Sequence, residues 1–400
     1  MRSIGDWLFP PKLRRDWRGA HSGAILKKIR VERRLLPDSP PPGIVATIGP
    51  VSASREMLQA LSEAGMTMAR LNSSHNTREW HRQTIRLIKE TLPDLPVLLD
   101  IPGRKIRTVP LAHEPAFEAG DLIILTTDSQ HDGSIKVPVN FDRFHEFMMP
   151  GLDVYADDGH LFFLVEEING RDVHMRAKVG GVLRSRKGIN VPQARFERPL
   201  VTRSDREMMA FAQENAVDYV GISFVEGAEH IAAIRHLMGR VPLGIVAKVE
   251  NQGGLDNMAE IIGASDMVMI DRGDLAVETS PDLVCLFQKR ILAAAQKQKA
   301  PVIVATELLN TMIEHPYPTK AEIGDITTAV LDGTSFLMLS GKTAIGCYPV
   351  EATARLQQIG RAVSTYIKQN GWCSIAHPGP CSIYHCAPQS DPDGGWSLPP

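Results

Sequence analysis

Cysteine is scarce in this chain: five in 400 residues, three of them beyond residue 370. That is too few for a disulfide framework, and a reducing, cytoplasmic setting is the expectation. Long apolar runs are missing too. None approaches the about 18 residues a membrane-spanning helix needs, so no membrane span is expected. The N-terminus, broken by Arg2, Asp6 and Pro10-Pro11, lacks the apolar stretch of a secretory signal. There is no excess of one charge: 44 Lys+Arg face 46 Asp+Glu, a net charge of -2. Nothing global therefore argues for nucleic acid as a partner. With 43% hydrophobic and 22% charged residues, the composition excludes a disordered or collagen-like chain.

What is present is length enough for about two to four domains, or for one large barrel with an insertion. Residues 1–42 read as an extension: ten Lys/Arg against four Asp/Glu lie in its first 40 residues, and it closes on Pro40-Pro41-Pro42. An amphipathic helix is expected at 22–36, in an arm that packs on the body or meets a partner or membrane surface. From residue 43 short β-branched runs alternate with helical-period segments, the signature of βα units. The runs are 43–48, 67–71, 96–100, 218–223, 244–250, 266–270, 301–306 and 335–340. Helices are expected at 53–64, 77–91, 203–214, 227–239, 280–299 and 349–368. Eight such units make a TIM (β/α)8 barrel, assigned here to 43–104 and 196–368. More than a hundred residues separate the third run from the fourth. Alternating stretches at 121–126, 161–168 and 172–179 place a small β-barrel-like lid domain, 105–195, after strand 3. Residues 369–400 have no apolar period and read as a disordered tail. Cys373, Cys381 and Cys386, with His377 and His385, lack the paired spacing of a zinc site.

Active sites of such barrels lie at the C-terminal ends of the strands, and these ends are mostly charged or polar. They carry Arg70, Asn72, Ser74 and His75; Asp100, Lys105 and Arg107; Ser223; Lys248 and Glu250; Asp271, Arg272 and Asp274; Thr306 and Glu307; and Ser340 and Lys342. Lys248 and Glu250 are two apart and so share a face. A lysine with two carboxylates in one mouth suits Mg²⁺ and an anionic substrate, and Arg70, Arg107 and Lys248 could offset moving phosphate charge. Plainer readings stand beside this one: Lys248–Glu250 and Arg70–Asp100 as structural ion pairs, Thr306 as a helix N-cap, and His75 as a surface histidine.

Ala46-Thr47-Ile48-Gly49-Pro50, Ala69-Arg70-Leu71-Asn72-Ser73-Ser74-His75, Lys248-Val249-Glu250-Asn251, Arg272-Gly273-Asp274-Leu275, Ala305-Thr306, Pro318-Thr319-Lys320-Ala321-Glu322 and Leu339-Ser340-Gly341 follow one another in the chain. In that order they resemble the pyruvate kinase family, from Gly43 to about Val363. In the insertion, Asp157-Asp158-Gly159 and Lys187-Gly188-Ile189-Asn190 resemble the family's lid. The resemblance implies phosphoryl transfer from phosphoenolpyruvate to ADP, followed by protonation of the enolate, with Mg²⁺ or Mn²⁺ as cofactor. Glu250 and Asp274 would hold the metal. Lys248, Thr306 and Arg70 would be catalytic. Arg70, Lys248, Gly273, Asp274 and Thr306 would bind phosphoenolpyruvate, and His75, Arg107 and Lys187 the nucleotide. Asn72, Ser74 and Asp100 correspond to a monovalent-cation position, which Lys105 is expected to fill in place of K⁺.

Several residues depart from the family pattern. Asn76 stands where the family has glycine, Asp271 replaces the alanine of "ARGDLG", Glu307 and Asn310 replace the Gln and Glu of "ATQMLE", and Lys342 replaces the Glu of "LSGET". Glu307 and Lys342 are expected to pair. The resemblance does not extend to the family's C-terminal regulatory domain, so an unregulated homodimer or monomer is expected. Two further readings remain open: a Mg²⁺–enolate lyase or aldolase acting on pyruvate or an oxo acid, and a non-catalytic homologue.

Overall fold

A computed structural model describes residues 40–239 and 241–370. The arm up to residue 39, with its expected helix, and the tail from residue 371 lie outside the described residues. Eight parallel strands form a closed barrel: β1 (Gly43–Thr47), β2 (Met66–Asn72), β3 (Val97–Ile101), β4 (Tyr219–Ile222), β5 (Gly244–Val249), β6 (Met267–Asp271), β7 (Val302–Ala305) and β8 (Phe336–Leu339). They are joined in chain order, and β8 pairs with β1.

The alternation of strand side chains decides what each strand contributes to the mouth. Val45, Met68, Leu98, Val246, Met267, Met269, Ile303, Ala305, Phe336 and Met338 fill the barrel interior. Two residues beyond an inward apolar side chain comes another inward one. Met68 thus leads to Arg70 and Asn72, Leu98 to Asp100, Val246 to Lys248 and Glu250, and Met269 to Asp271. The interior changes from apolar to ionic at the C-terminal ends. Parallel register levels these ends, with Asn72 opposite Asp100 and Gly221 opposite Asp100. Gly221 is required there: a Cβ would meet Asp100 Oδ1 at 2.2 Å.

The outward residues of the same strands pack under the helices, as Ile245, Ala247, Val268 and Val304 do. The helices are α1 (Arg55–Glu63), α2 (Arg78–Thr91), α3 (Arg203–Glu214), α4 (Ala228–Met238), α5 (Met258–Ala264), α6 (Val284–Gln298), α7 (Lys320–Leu331) and α8 (Pro349–Asn370). Their starts are set locally. Ser54 and Thr77 cap α1 and α2, and Thr202–Asp205 and Thr319–Glu322 form capping boxes on α3 and α7, each satisfying amides that the first turn leaves free.

The insertion leaves the barrel through Gly103, whose φ of 61° favours glycine. Its amide donates to Asp205 Oδ1 at 2.9 Å. A seven-stranded sheet follows, in the order 106–107, 188–190, 153–156, 161–169, 172–177, 122–126, 137–138. Its two edges meet: Thr108 bridges Val139, and the Asn140 amide donates to the Arg107 carbonyl at 2.9 Å. The sheet is curled around its own core, which includes Phe144, Val154, Phe163 and Val173. The three long alternating stretches were readable from sequence. The two- and three-residue strands were not, because they are too short to show a period.

Candidate active site

The mouth of the barrel holds a connected ionic cluster. Arg70 donates from Nε and Nη2 to Asp100 Oδ2 at 3.1 and 2.7 Å, and from Nη1 to Thr47 Oγ1 at 3.0 Å. Lys248 Nζ lies 2.6 Å from Glu250 Oε1, 3.2 Å from Asp271 Oδ2 and 3.5 Å from Asp100 Oδ2. The two structural pairs foreseen from sequence therefore both form, as parts of one network. The backbone amide of Phe224 donates to the other Glu250 oxygen at 2.7 Å. Glu250 is wholly buried, and Asp271 and Asp274 nearly so. Burial raises the proton affinity of Glu250 against the pull of Lys248. Asp271 feels the same burial, yet Lys248, then Lys105 and Arg70, outweigh it and hold the carboxyl below its ordinary value. For Lys248, burial alone would favour the neutral amine, but Glu250, Asp271 and Asp100 keep it firmly protonated. The charge added by Asp271 is thus paired.

Among the described residues no hydrogen bond or ion pair joins the Lys105 ammonium to Asn72, Ser74 or Asp100. Lys105 Nζ reaches both carboxylate oxygens of Asp274, at 2.5 and 2.7 Å. Asp158 is its second acidic neighbour, at 3.9 Å. Among the described residues these are its ion pairs. The side chain is 5% exposed, so it does not point into solvent either. A buried ammonium goes where carboxylate charge is least compensated, and Asp100 is already engaged by Arg70. Asn72 Oδ1 accepts from the Ser74 amide at 3.1 Å, and Asp100 Oδ1 is buried without a hydrogen-bond partner among the described residues.

The end of β6 runs into a short helix, Arg272–Glu278. The Gly273 amide donates to Thr306 Oγ1 at 2.9 Å, and the Thr306 hydroxyl donates to the Ala305 carbonyl at 2.6 Å. Thr306 is not a helix N-cap. Its φ is 64° and that of Glu307 is 56°, a left-handed turn that β-branched residues rarely adopt. Arg272 holds this turn: it donates to the Thr306 carbonyl at 2.9 Å and grips both oxygens of Asp325 on α7 at 2.7 and 2.8 Å. The positioning role of Arg272 and Asp325 was not anticipated. The only hint in the sequence was an arginine between two aspartates at a strand end.

His75, Arg107 and Lys187 border the rim between barrel and lid. His75 is exposed, yet the protein mass around the cleft, then Arg107, Arg70, Lys187 and Arg186, holds its imidazole at about 4, hence neutral at pH 7. Lys187 pairs with Asp157 at 2.6 Å, and Arg107 donates to the Arg186 carbonyl at 3.2 Å. Asn76, with φ 59°, fills a left-handed position that asparagine tolerates better than most residues. At strand 8 the expected Glu307–Lys342 pair does not form among the described residues. Glu307 is exposed, whereas Lys342 is buried and donates to Asn310 Oδ1. Burial, only partly offset by Glu322 and Glu307, lowers the Lys342 ammonium to about 8.

One oxygen each of Glu250, Asp271 and Asp274 lie within 4.8 Å of one another. Buried hard-oxygen donors of this kind suit Mg²⁺ or Mn²⁺, and the seating of the Lys105 ammonium on Asp274 marks the position as one that attracts cations. The residues fit a divalent ion. Among the described residues, no helix is long and apolar enough to cross a membrane.

Residues 41–353 match the family model described as "Pyruvate kinase, barrel domain". A pyruvate kinase of Clostridium perfringens is 36% identical over 336 residues, 82% of this chain and 71% of the relative. One of Thermococcus litoralis is 34% identical over 339 residues, covering 83% and 71%. One of Trypanoplasma borreli is 37% identical over 324 residues, covering 79% and 65%.

Proposed function

This chain belongs to the pyruvate kinase family, and we propose that it transfers the phosphoryl group of phosphoenolpyruvate to ADP, giving ATP and pyruvate. The observation that carries the reading is the buried network of Arg70, Lys248, Glu250 and Asp274 at the barrel mouth, which combines cations for a phosphate with carboxylates for a metal. Glu250 and Asp274 hold a divalent cation, Mg²⁺ or Mn²⁺, which when bound supplies charge to offset that of phosphate and enolate. Arg70 is preset by Asp100 and Thr47, leaving its remaining N–H groups for the substrate phosphate. An oxygen of the ADP β-phosphate attacks phosphorus, and the bond to the enol oxygen breaks. Lys248 stabilises the group in transit. The Gly273 and Asp274 amides and the Thr306 hydroxyl bind the carboxylate, so the Gly273 amide exchanges Thr306 for substrate. His75, Arg107 and Lys187 face the nucleotide, where a neutral His75 can accept or donate a hydrogen bond. The reading carries a cytoplasmic setting with it.

The test is the full chain with phosphoenolpyruvate and MgADP, run beside proton exchange at C3 of pyruvate. ATP with pyruvate supports the proposal. Exchange without ATP points to lyase or aldol chemistry, and neither to a non-catalytic homologue.

Two expected outcomes follow from individual residues. The Thr306 hydroxyl is the side-chain group beside the carboxylate amides, so it lies on the proton route to the enolate. Thr306→Ala should slow C3 exchange by about 10²-fold, a typical general-acid contribution, and phosphoryl transfer by less. Equal losses in the two assays would remove Thr306 from the proton route. Lys105 stays tethered beside the mouth whether it is seated on Asp274 or displaced from it, and activity should be the same in Na⁺, K⁺ or a bulky organic cation at constant ionic strength. A stimulation by K⁺ of about tenfold or more, 1.4 kcal/mol in the transition state, would contradict this.

A further inference from the structure

We propose that Lys105 is a tethered competitor for the divalent-cation position: its ammonium occupies Asp274, one of the three clustered carboxylates, until a metal displaces it. This rests on the reading of Glu250 and Asp274 as metal ligands, and goes beyond it.

Three observations converge. Lys105 uses both oxygens of Asp274, so a metal reaching either oxygen has to share it with the ammonium or displace it. The cluster's charges point the same way. Glu250, Asp271 and Asp274 face two ammonium groups, Lys248 and Lys105. With the exposed Asp158 left aside, a divalent ion in place of Lys105 balances the buried groups Glu250, Asp271, Asp274 and Lys248, whereas a divalent ion beside it sets two cations on the same Asp274 carboxylate, where burial screens their repulsion poorly. Finally, the lysine is seated by the inserted domain. It immediately precedes the edge strand Ile106–Arg107, which pairs with Gly188–Asn190. Gly188 makes room for it: a Cβ there would meet Lys105 Cε at 2.5 Å and Nζ at 3.0 Å. The Phe224 ring lies 5.6 Å from Nζ on another side. Displacing Lys105 therefore disturbs its packing on the lid, and metal entry and lid position are coupled through one side chain.

The experiment measures Mn²⁺ binding to the full-length protein without substrate, by the loss of the free-ion electron paramagnetic resonance signal. Lys105→Met should tighten binding by about tenfold or more, because the metal no longer competes with an ion pair. Lys105→Arg, which keeps the charge, should not tighten it. Gly188→Ala should tighten binding in the same direction, because it pushes the lysine from its seat without removing a charge; Gly188 has an ordinary φ. This variant keeps the test informative if Lys105→Met, with Asp274 left buried, folds poorly. Unchanged or weaker binding in Gly188→Ala and in any folded Lys105→Met overturns the competition. Asp274→Ala separates the two levels. If it leaves Mn²⁺ binding intact, the metal lies elsewhere and the underlying reading fails. If it abolishes binding while the Lys105 and Gly188 variants match wild type, only the competition fails.

Discussion

Lys248→Met is expected to lower the rate of phosphoryl transfer by about 10²–10³-fold or more, the usual cost of removing one preorganised charge from a buried site. The same change also affects stability. Lys248 is the ammonium shared by Glu250, Asp271 and Asp100, and all four groups are at most 7% exposed. Taking away the cation leaves buried carboxylates uncompensated, for which about 3–5 kcal/mol is typical. Those carboxyls then take up protons in the folded state at higher pH than in the unfolded chain. Their folded pKa values rise, so the variant loses stability as pH rises and should be closer to wild type at pH 5 than at pH 8. Unfolding measured at both values, with turnover expressed per folded molecule, separates the two effects. Wild-type turnover in folded Lys248→Met would overturn the assignment of the site. A deficit in stability independent of pH would mean that the carboxylates find other partners.

Arg272→Ala has the second largest expected effect, although Arg272 need not touch substrate. It ties three elements together: the end of β6, the left-handed turn at Thr306 and the Asp325 carboxylate on α7. Arg272 is 2% exposed, while the Asp325 side chain is 31% exposed. The loss should fall somewhat below that of a fully buried pair, at about 2–3 kcal/mol. Release of the Thr306 carbonyl lets the turn relax. Misplacing a group by about 1 Å costs on the order of 10²-fold in rate, and the loss should appear in kcat with little change in KM for ADP. Arg272→Lys should recover little, because an ammonium cannot span both Asp325 oxygens and the Thr306 carbonyl in one planar fork. A melting temperature and kcat close to wild type in Arg272→Ala would show that the turn is held by other contacts.

Much of the architecture was legible in the chain itself. Two-residue alternation is a property of any strand, so once β5 is recognised, Val246, Lys248 and Glu250 must share its inner face. The same holds for Leu98 and Asp100, and for Met269 and Asp271. Helix starts such as Thr202–Asp205 and Thr319–Glu322 are equally local, because cap and capped amide lie within one turn. Local rules also placed the long strands of the inserted domain, and the strand-end motifs placed the chain in its family.

Which charge meets which was decided only by the tertiary structure. Lys105 was expected at Asn72, Ser74 and Asp100, and lies on Asp274, 169 residues away in sequence. Lys342 was expected on Glu307 and meets Asn310. Thr306, for which a helix cap was the plainer alternative, is a left-handed turn held by Arg272. In each case residue type and spacing give the face on which a side chain emerges, but not the competition for it. A buried ammonium takes the carboxylate whose other partners leave it least satisfied. That ranking exists only after barrel closure brings the strand ends into one mouth with a buried ionic cluster and the curled insertion places its own lysine among them.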